Sequence, residues 1–145
     1  MSFLYISKAI KQIWADAWNP ANGIAFWENE VIDQRPSNIP WLRISIRDGD
    51  AQQISLGRPS LDRHANILFV QVFVPVNEGV DRARWLADKV AAIFRKKSVN
   101  QGNGSLIFDV PYCIIANTLG EETNIVNTGW WQITVLCPFT YDEVT

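Results

Sequence analysis

The composition of the chain already excludes several classes of protein. It has 145 residues, with 13 Lys and Arg against 15 Asp and Glu and a formal net charge of −2. This balance excludes a general nucleic-acid binder, which neutralises phosphates with an excess of basic side chains. Seven tryptophans stand against one histidine and two cysteines, so the chain is poor in nucleophiles and metal ligands. We expect no enzyme, no cofactor and no metal site.

The length predicts one domain, since single cores commonly contain about 100–150 residues. We expect 1–145 to form that domain, with an N-terminal helix at 1–20, a core at 21–139 and a C-terminal tail at 140–145. No apolar window approaches the ~18 residues that a membrane span needs. The apolar start is too short for a signal peptide and is interrupted by lysines, so we expect neither a signal peptide nor a membrane span.

Two cysteines bear on the redox environment of the chain. Cys113 and Cys137 both lie in strand-like apolar runs. Such runs predict two buried, reduced thiols rather than a disulfide, which is typical of a protein assembled in a cytoplasm.

The first part of the chain predicts a helix followed by extended chain. Apolar residues recur at helical spacing over 3–18, for example at Ile10 and Trp14, and predict an amphipathic helix. The residues NPANG at 19–23 end this helix. The pattern over 24–40 is weak and rich in turn-forming residues, so we interpret it as an extended segment or short strand.

Strand patterns begin at residue 41. Apolar and polar residues alternate over 41–47, which predicts a half-buried strand. Asp48-Gly49 follows and predicts a tight hairpin turn, with a second strand at 52–56 and, at 57–64, either a loop or an extension of the hairpin. Residues 67–76 are apolar on both faces and predict a central strand, ended by its proline.

The second half predicts one more helix and several strands. Residues 79–97 predict a helix, with Asp81 favouring its positive end and basic residues at 95–97 complementing its negative end. A flexible loop is predicted at 98–104. Further strands are predicted at 105–110, 112–119 and 129–139. The predicted fold class is therefore α+β, with two helices packed on a mainly antiparallel or mixed sheet that includes one long β-hairpin.

No catalytic or metal-binding constellation is evident in the sequence. His64 lies in a predicted loop, and neither cysteine has a setting that would lower its pKa, so a Cys–His nucleophile is disfavoured. Asp48-Gly49-Asp50 lacks the further oxygens of a calcium loop. Gly102-Asn103-Gly104 lacks a third glycine and precedes a strand, so it is not a nucleotide cradle. Two carboxylate pairs are interpreted as solvated surface charge: Glu28 with Glu30, and Glu121 with Glu122.

The tryptophans instead indicate contact surfaces. Trp85 falls on the charged side of its helix, opposite the apolar face. Trp41 shares a strand face with Arg43 and Arg47, and Trp130 also lies on the more polar face of its strand. A large aromatic residue on such a face is covered either by a loop of the same chain or by another chain, and three of them on one small domain suggest surface covered by a partner.

Several segments together resemble the tail terminator proteins of tailed bacteriophages. The resemblance runs from about residue 24 to residue 139 and depends on the order and spacing of patterned stretches. These stretches are AFWEN at 25–29, PWLRISI at 40–46, ILFVQVFVPV at 67–76, NEG at 77–79, ARWLADKVAAIF at 83–94 and WWQITVLCPF at 130–139.

The resemblance implies a structural virion protein at the head-proximal end of a phage tail, assembled in the host cytoplasm. Its subunits would form a hexameric ring that caps the tail tube, stops its polymerisation and joins it to neck proteins. DNA would pass through the lumen without specific binding. The family has no catalytic residues to transfer.

A closed ring needs two different, complementary patches on each subunit. We expect the following residues to contribute to a subunit or tube interface: Trp85, Trp41, Arg43, Arg47, Trp130, Arg58 and Arg63. The segment 48–64 is expected to reach a neighbouring subunit or the tube.

Two other functions remain open at the level of sequence. One is another phage neck or head–tail connector protein of similar shape. The other is a small soluble ligand-binding or enzymatic α+β domain, which would need a deep apolar pocket with converging polar groups.

Overall fold

Two helices pack on one face of a seven-stranded mixed sheet. The structure is a computed structural model that describes residues 2–28, 39–57, 59–75, 80–101, 104–115 and 130–144. The helices are α1 (Ser2–Ala17) and α2 (Asp81–Phe94), and a short 3-10 turn spans Pro20–Asn22. The strands are β1 (Ile24–Trp27), β2 (Trp41–Gln53), β3 (Leu61–Pro75), β4 (Ser98–Gln101), β5 (Gly104–Phe108), β6 (Tyr112–Ile115) and β7 (Trp130–Val144).

The sheet has the strand order β1-β2-β3-β7-β5-β4, and β6 pairs with another stretch of β7. The β1–β2 pair is parallel and the remaining pairs are antiparallel. Strand β3 lies between β2 and β7, which confirms the predicted central strand, and it ends at Pro75 as predicted. The predicted α+β class is confirmed.

A row of stacked aromatic rings connects the helices to the sheet. Trp14 of α1 stacks on Trp18 at 4.6 Å between ring centroids and lies 6.2 Å from Phe94 of α2. Phe94 in turn contacts Phe108 of β5, which contacts Phe139 of β7. All five side chains are buried, so α1 and α2 share one core with the sheet. Neither described helix is long and apolar enough to cross a membrane.

The two faces of the sheet differ in what covers them. Leu42 and Ile44 of β2, Val70 and Val72 of β3 and Val135 of β7 are fully buried on the face that carries the helices. Because side chains alternate along a strand, their neighbours in sequence point to the opposite face. We call this second face, which carries Trp41, Arg43 and Arg47, the outer face.

The prediction of a hairpin turn at Asp48-Gly49 is wrong. Strand β2 continues through both residues to Gln53, and the pairing with β3 shifts register between Asp48 and Ala51, which marks a β-bulge. Glycine is needed here for space, because a Cβ atom on Gly49 would lie 2.3 Å from the carbonyl oxygen of Ala65. The turn of the long β2–β3 hairpin lies later, after Gln53, and residues 52–56 are not a separate strand.

The second helix is shorter than predicted. It ends at Phe94, and Lys96 has a left-handed φ of 51°, so residues 95–97 form a turn instead of a last helical turn. Phe94 is fully buried, and the chain leaves the helix to pair with the end of β5: Phe108 N–H donates to the Lys97 carbonyl at 2.8 Å. Backbone pairing with β5 thus ends the helix before residues 95–97, although their sequence is compatible with a last helical turn.

One loop prediction and one strand prediction also need correction. The loop predicted at 98–104 contains β4, whose polar residues pair with β5 through backbone hydrogen bonds. The last strand does not end at residue 139 but continues to Val144, so residues 140–144, predicted as a tail, pair with β3. The strand predicted at 112–119 is confirmed for β6; residues 116–119 lie outside the described part of the chain.

Candidate functional site

An aromatic cluster covers one end of the outer face. Trp41 stacks on Phe73 with 4.0 Å between ring centroids and an interplanar angle of 7°. Trp130 and Phe26 both meet the Trp41 ring edge-on, at 6.1 and 5.9 Å. Trp41 and Trp130 are only 4% and 9% exposed. The two predicted tryptophans therefore lie on the outer face, where rings of the same chain cover most of their surface.

The middle of the outer face carries exposed arginines over a half-buried floor. Arg43 pairs with Gln71 across the β2–β3 ladder and is exposed. The guanidinium of Arg47, also exposed, lies 4.9 Å from the ring centroid of Phe69. An arginine over an aromatic face is held by cation–π attraction while its charge stays in water. This strip suits contact with a polar or acidic surface.

Trp85 is the predicted tryptophan that remains half-exposed. Its side chain on α2 is 50% exposed, and the ammonium of Lys89 lies 5.1 Å from its ring centroid. Beside it runs a groove of about 400 Å³. The groove is lined by Ala17, Trp18, Asn19, Asn22, Trp85, Lys89 and Ile93. We call this feature the Trp85 groove.

The Trp85 groove is built by the end of α1. Trp18 follows α1 directly, is buried, and its indole N–H donates to the Gly23 carbonyl at 3.0 Å. Asn19 caps the following 3-10 turn by accepting from Ala21 N–H at 3.0 Å. Hydrogen bonds therefore fix Trp18 and Asn19 on one side of the groove, and the indole rings of Trp18 and Trp85 both contribute to its lining.

Arg63 is engaged within the chain. Its guanidinium donates two hydrogen bonds of 2.8 Å to the Asp142 carboxylate on the neighbouring strand β7. This contact lowers the pKa of Asp142, mainly through the hydrogen bond, and raises that of Arg63. Arg58, the remaining predicted interface residue, lies outside the described residues.

A second groove, of about 480 Å³, lies beside the β-bulge. Its rim carries the charged residues Arg47, Asp48, Asp50 and Asp109, and Pro138 contributes to its apolar lining. Within the described ranges, no group of three or more His, Cys, Asp or Glu side chains is placed to hold a metal ion.

His64 lies in strand β3, so the alternative of an extended hairpin holds at this residue and the loop does not. Its Nε2 is 3.6 Å from a carboxylate oxygen of Glu143, and the rings of Phe3 and Tyr141 lie 6.2 Å away. Neither cysteine is among these contacts. The imidazole is thus packed between two aromatic rings and a carboxylate, which is a structural setting.

The two cysteines differ in exposure, which corrects the prediction that both are buried. Both are free thiols, but Cys113 is exposed and Cys137 is buried. Cys113 lies on the short strand β6, which pairs only with β7 among the described strands. Cys137 lies on β7, which pairs with β3 along one edge and with β5 and β6 along the other. Burial raises the pKa of the Cys137 thiol to about 12.

The turn of the long hairpin carries apolar residues that the sequence analysis did not single out. Leu56 is 98% exposed and Ile54 is 42% exposed. Two hydrogen bonds join the ends of the two strands at this turn: Ile54 N–H donates to the Leu61 carbonyl at 2.8 Å, and Leu61 N–H to Ser55 Oγ at 2.7 Å. The available signal was a pair of large aliphatic residues within an otherwise polar segment.

Comparisons with known proteins agree with this fold. One solved structure superposes on the chain with a TM-score of 0.60 at 19% sequence identity, covering 100% of this chain and 97% of that chain. A comparison with curated proteins returned no match. The family model described as phage tail terminator protein matches residues 5–139. The chain therefore belongs to the phage tail terminator family, a family of structural phage proteins.

Proposed function

We propose that this chain is a ring-forming tail terminator. Copies of it close into a ring, hexameric as in the family it resembles, on the head-proximal end of the tail tube. The ring stops tube polymerisation and offers its other side to the neck proteins that join tail to head. The observation that carries the proposal is the match of the phage tail terminator model over residues 5–139.

The exposed surfaces support ring formation. Closure requires a heterologous interface, in which one patch fits a different patch on the next copy. The chain has a different exposed patch on each side of its sheet, and either could meet a further patch on the next copy. Trp85 and Lys89 lie exposed on α2, and Arg43 and Arg47 lie exposed on the outer face.

The charge of the chain suits passage of DNA through a ring. The formal net charge is −2, so the chain as a whole has no positive excess that would attract a polyanion. We propose that DNA passes through the lumen without specific binding. A lumen lined by the exposed arginines of the outer face would contradict this, because phosphate contacts would then hold the DNA.

The experiment that tests the proposed function is deletion of the gene from its phage, followed by electron microscopy of the tail structures. A terminator predicts tail tubes of uncontrolled, excessive length. Tails of normal length that fail to attach to heads would instead show a neck or connector protein. Restoration of tube length by the intact gene supplied in trans is the control.

A further inference from the structure

We propose that the half-exposed Trp85 of one copy of this chain docks into the groove beside the β-bulge of the next copy. This recess of about 480 Å³, which has Ile67, Pro138 and Thr140 in its lining, is called the bulge groove. The inference rests on the proposed ring and names a contact between its subunits. One surface contributes an indole on a basic helix, and the other contributes an apolar groove with an acidic rim.

The exposed side of α2 is basic. Residues 81–97 contain six basic side chains against two carboxylates, although the whole chain has a formal net charge of −2. The buried residues of α2 are all apolar, and its charged residues are all exposed. Among the described residues, neither Arg84 nor Arg95 has an ion-pair partner. Trp85 therefore lies on a positively charged surface.

The bulge groove has an apolar lining on the outer face of the sheet. Ile67 and Pro138 lie opposite each other on β3 and β7, and Thr140 follows on the same face of β7. Ile67 and Pro138 are only partly buried, so they reach solvent at the groove. Pockets of about 300–1,000 Å³ commonly hold groups of small-molecule size. The bulge groove is therefore large enough for an indole ring.

The rim of the bulge groove is acidic. Asp48, Asp50 and Asp109 lie in its lining, are exposed, and form no ion pair with any described residue. Arg47 is the one basic residue among the described residues that line it, and its guanidinium lies 4.9 Å from the ring centroid of Phe69. Three carboxylates thus surround an apolar recess. Such a site favours an apolar group that brings positive charges with it.

The β-bulge is held in place within one chain. Gly49 N–H donates to Asn66 Oδ1 at 3.2 Å, and the Asn66 side chain is buried. Asn66 Nδ2 donates in turn to the His64 carbonyl at 3.4 Å. Because these bonds order the groove before a partner binds, association costs less conformational entropy.

A second copy is the occupant that the chain itself supplies. The helix α2 packs on one face of the sheet through buried residues such as Leu86 and Val90, whereas the bulge groove opens on the outer face. Trp85 therefore cannot reach the groove of its own chain. Contact between the helix side of one copy and the outer face of the next repeats head to tail, which is the heterologous geometry of a ring. Buried tryptophans commonly dominate the binding energy of such interfaces.

Photochemical cross-linking tests this contact directly. The photoreactive residue p-benzoylphenylalanine replaces Trp85 in the full chain, which is assembled on tail tubes and irradiated. The expected result is a ladder of covalent multimers beyond the dimer. Mass spectrometry of the cross-linked peptides should place the attachment at 47–50, 65–67, 109 or 138–140. The matched control carries the same residue in place of Lys8, which is exposed on α1, and should give no attachment in these segments.

The cross-linked partner decides the inference. Attachment of position 85 to the tube protein or to another part of the chain would overturn it, as would the absence of cross-links in a variant that still caps tubes. Each of these results leaves the proposed function intact. Failure of the unmodified protein to cap tubes would count against the proposed function itself.

Charge reversal supplies a second test that does not alter Trp85. Asp50→Lys should raise the protein concentration that caps half of the tube ends by about tenfold or more, because it places like charges in contact. Asp16→Lys, the same change at an exposed position on α1, should cap normally. Adding Arg84→Glu to Asp50→Lys should recover part of the loss. Normal capping by Asp50→Lys, an equal loss with Asp16→Lys, or no recovery in the double variant would overturn the inference.

Discussion

Trp41 and Phe73 stack almost parallel, with 4.0 Å between their ring centroids, on the sheet face opposite the helices. Trp130 closes the cluster edge-on at 6.1 Å. The outer face thus has a small apolar core of its own, separate from the main core beneath α1 and α2. Trp41 and Trp130 are thus part of the folded core of one chain, whereas Trp85 is half-exposed.

Trp41→Ala should therefore destabilise the monomer. Removing a buried indole leaves a cavity among the rings of Phe26, Phe73 and Trp130, and we expect the free energy of unfolding to fall by about 3–5 kcal/mol. Urea unfolding followed by tryptophan fluorescence measures this. Trp41→Phe, which retains a ring for stacking on Phe73, should lose clearly less. A loss below about 1 kcal/mol for the alanine variant would show that the cluster contributes little.

Trp85→Ala should leave the stability of the monomer almost unchanged but weaken its assembly on tail tubes. Half of the side chain is already in water. The free energy of unfolding should therefore change by less than about 1 kcal/mol, even though the substitution also removes the cation–π contact with Lys89. Capping of tail tubes should be lost or strongly weakened. Lys8→Ala, an exposed substitution on α1, is the control and should cap normally. Full capping activity of the folded Trp85→Ala protein would remove Trp85 from the interface.

Asp142→Asn should make the protein less stable in a pH-dependent way. Because the hydrogen bonds from Arg63 lower the pKa of the folded-state carboxyl, the pair stabilises the fold above the pKa of an unfolded-state aspartate. That contribution is lost as the pH falls through the lower, folded-state pKa. The urea midpoints of wild type and variant should differ at about pH 7 and converge in acid.

Arg63→Gln supplies the matching control for that pair. It should lower the midpoint at neutral pH as Asp142→Asn does, and the double variant should be no worse than either single variant if the two side chains act together. A difference between wild type and Asp142→Asn that persists unchanged in acid would point to packing rather than charge.

The two thiols should react at very different rates. Cys113 is exposed and Cys137 is buried, so at about pH 8 Cys113 is the thiol that reagents reach; burial and the nearby Asp88 raise its pKa and slow its reaction relative to a free thiol. Cys137 is buried, with a pKa of about 12. Iodoacetamide should modify one thiol per native chain and two in urea. Two fast-reacting thiols in the native protein would contradict the placement of Cys137.

Sequence patterns predicted the elements whose local signals agree with the tertiary structure. The period of α1, the alternation in β2 and the apolar run of β3 are such signals. Asp48-Gly49 was misread because its glycine serves a close backbone approach at a bulge instead of a tight turn. Strand β4 was missed because its polar residues have low strand propensity and are held by backbone pairing with β5.

The surfaces that carry the tryptophans were only partly predictable, because they too depend on how distant segments pack. Periodicity placed Trp41, Trp85 and Trp130 on outer faces, but it could not show that Phe73 and Phe26 come from other strands to cover Trp41. The Trp85 groove joins the end of α1 to the middle of α2. Such a feature depends on how two distant segments pack, which no local pattern encodes.

Addition of the purified protein to polymerising tail-tube protein tests the central claim most directly. Tube lengths and tube ends would be recorded by negative-stain electron microscopy, with the Trp85→Ala protein in parallel. A terminator ring predicts that growth stops and that added density caps one end of each tube, both absent with Trp85→Ala. An unchanged length distribution and bare tube ends with the unmodified protein would contradict the claim.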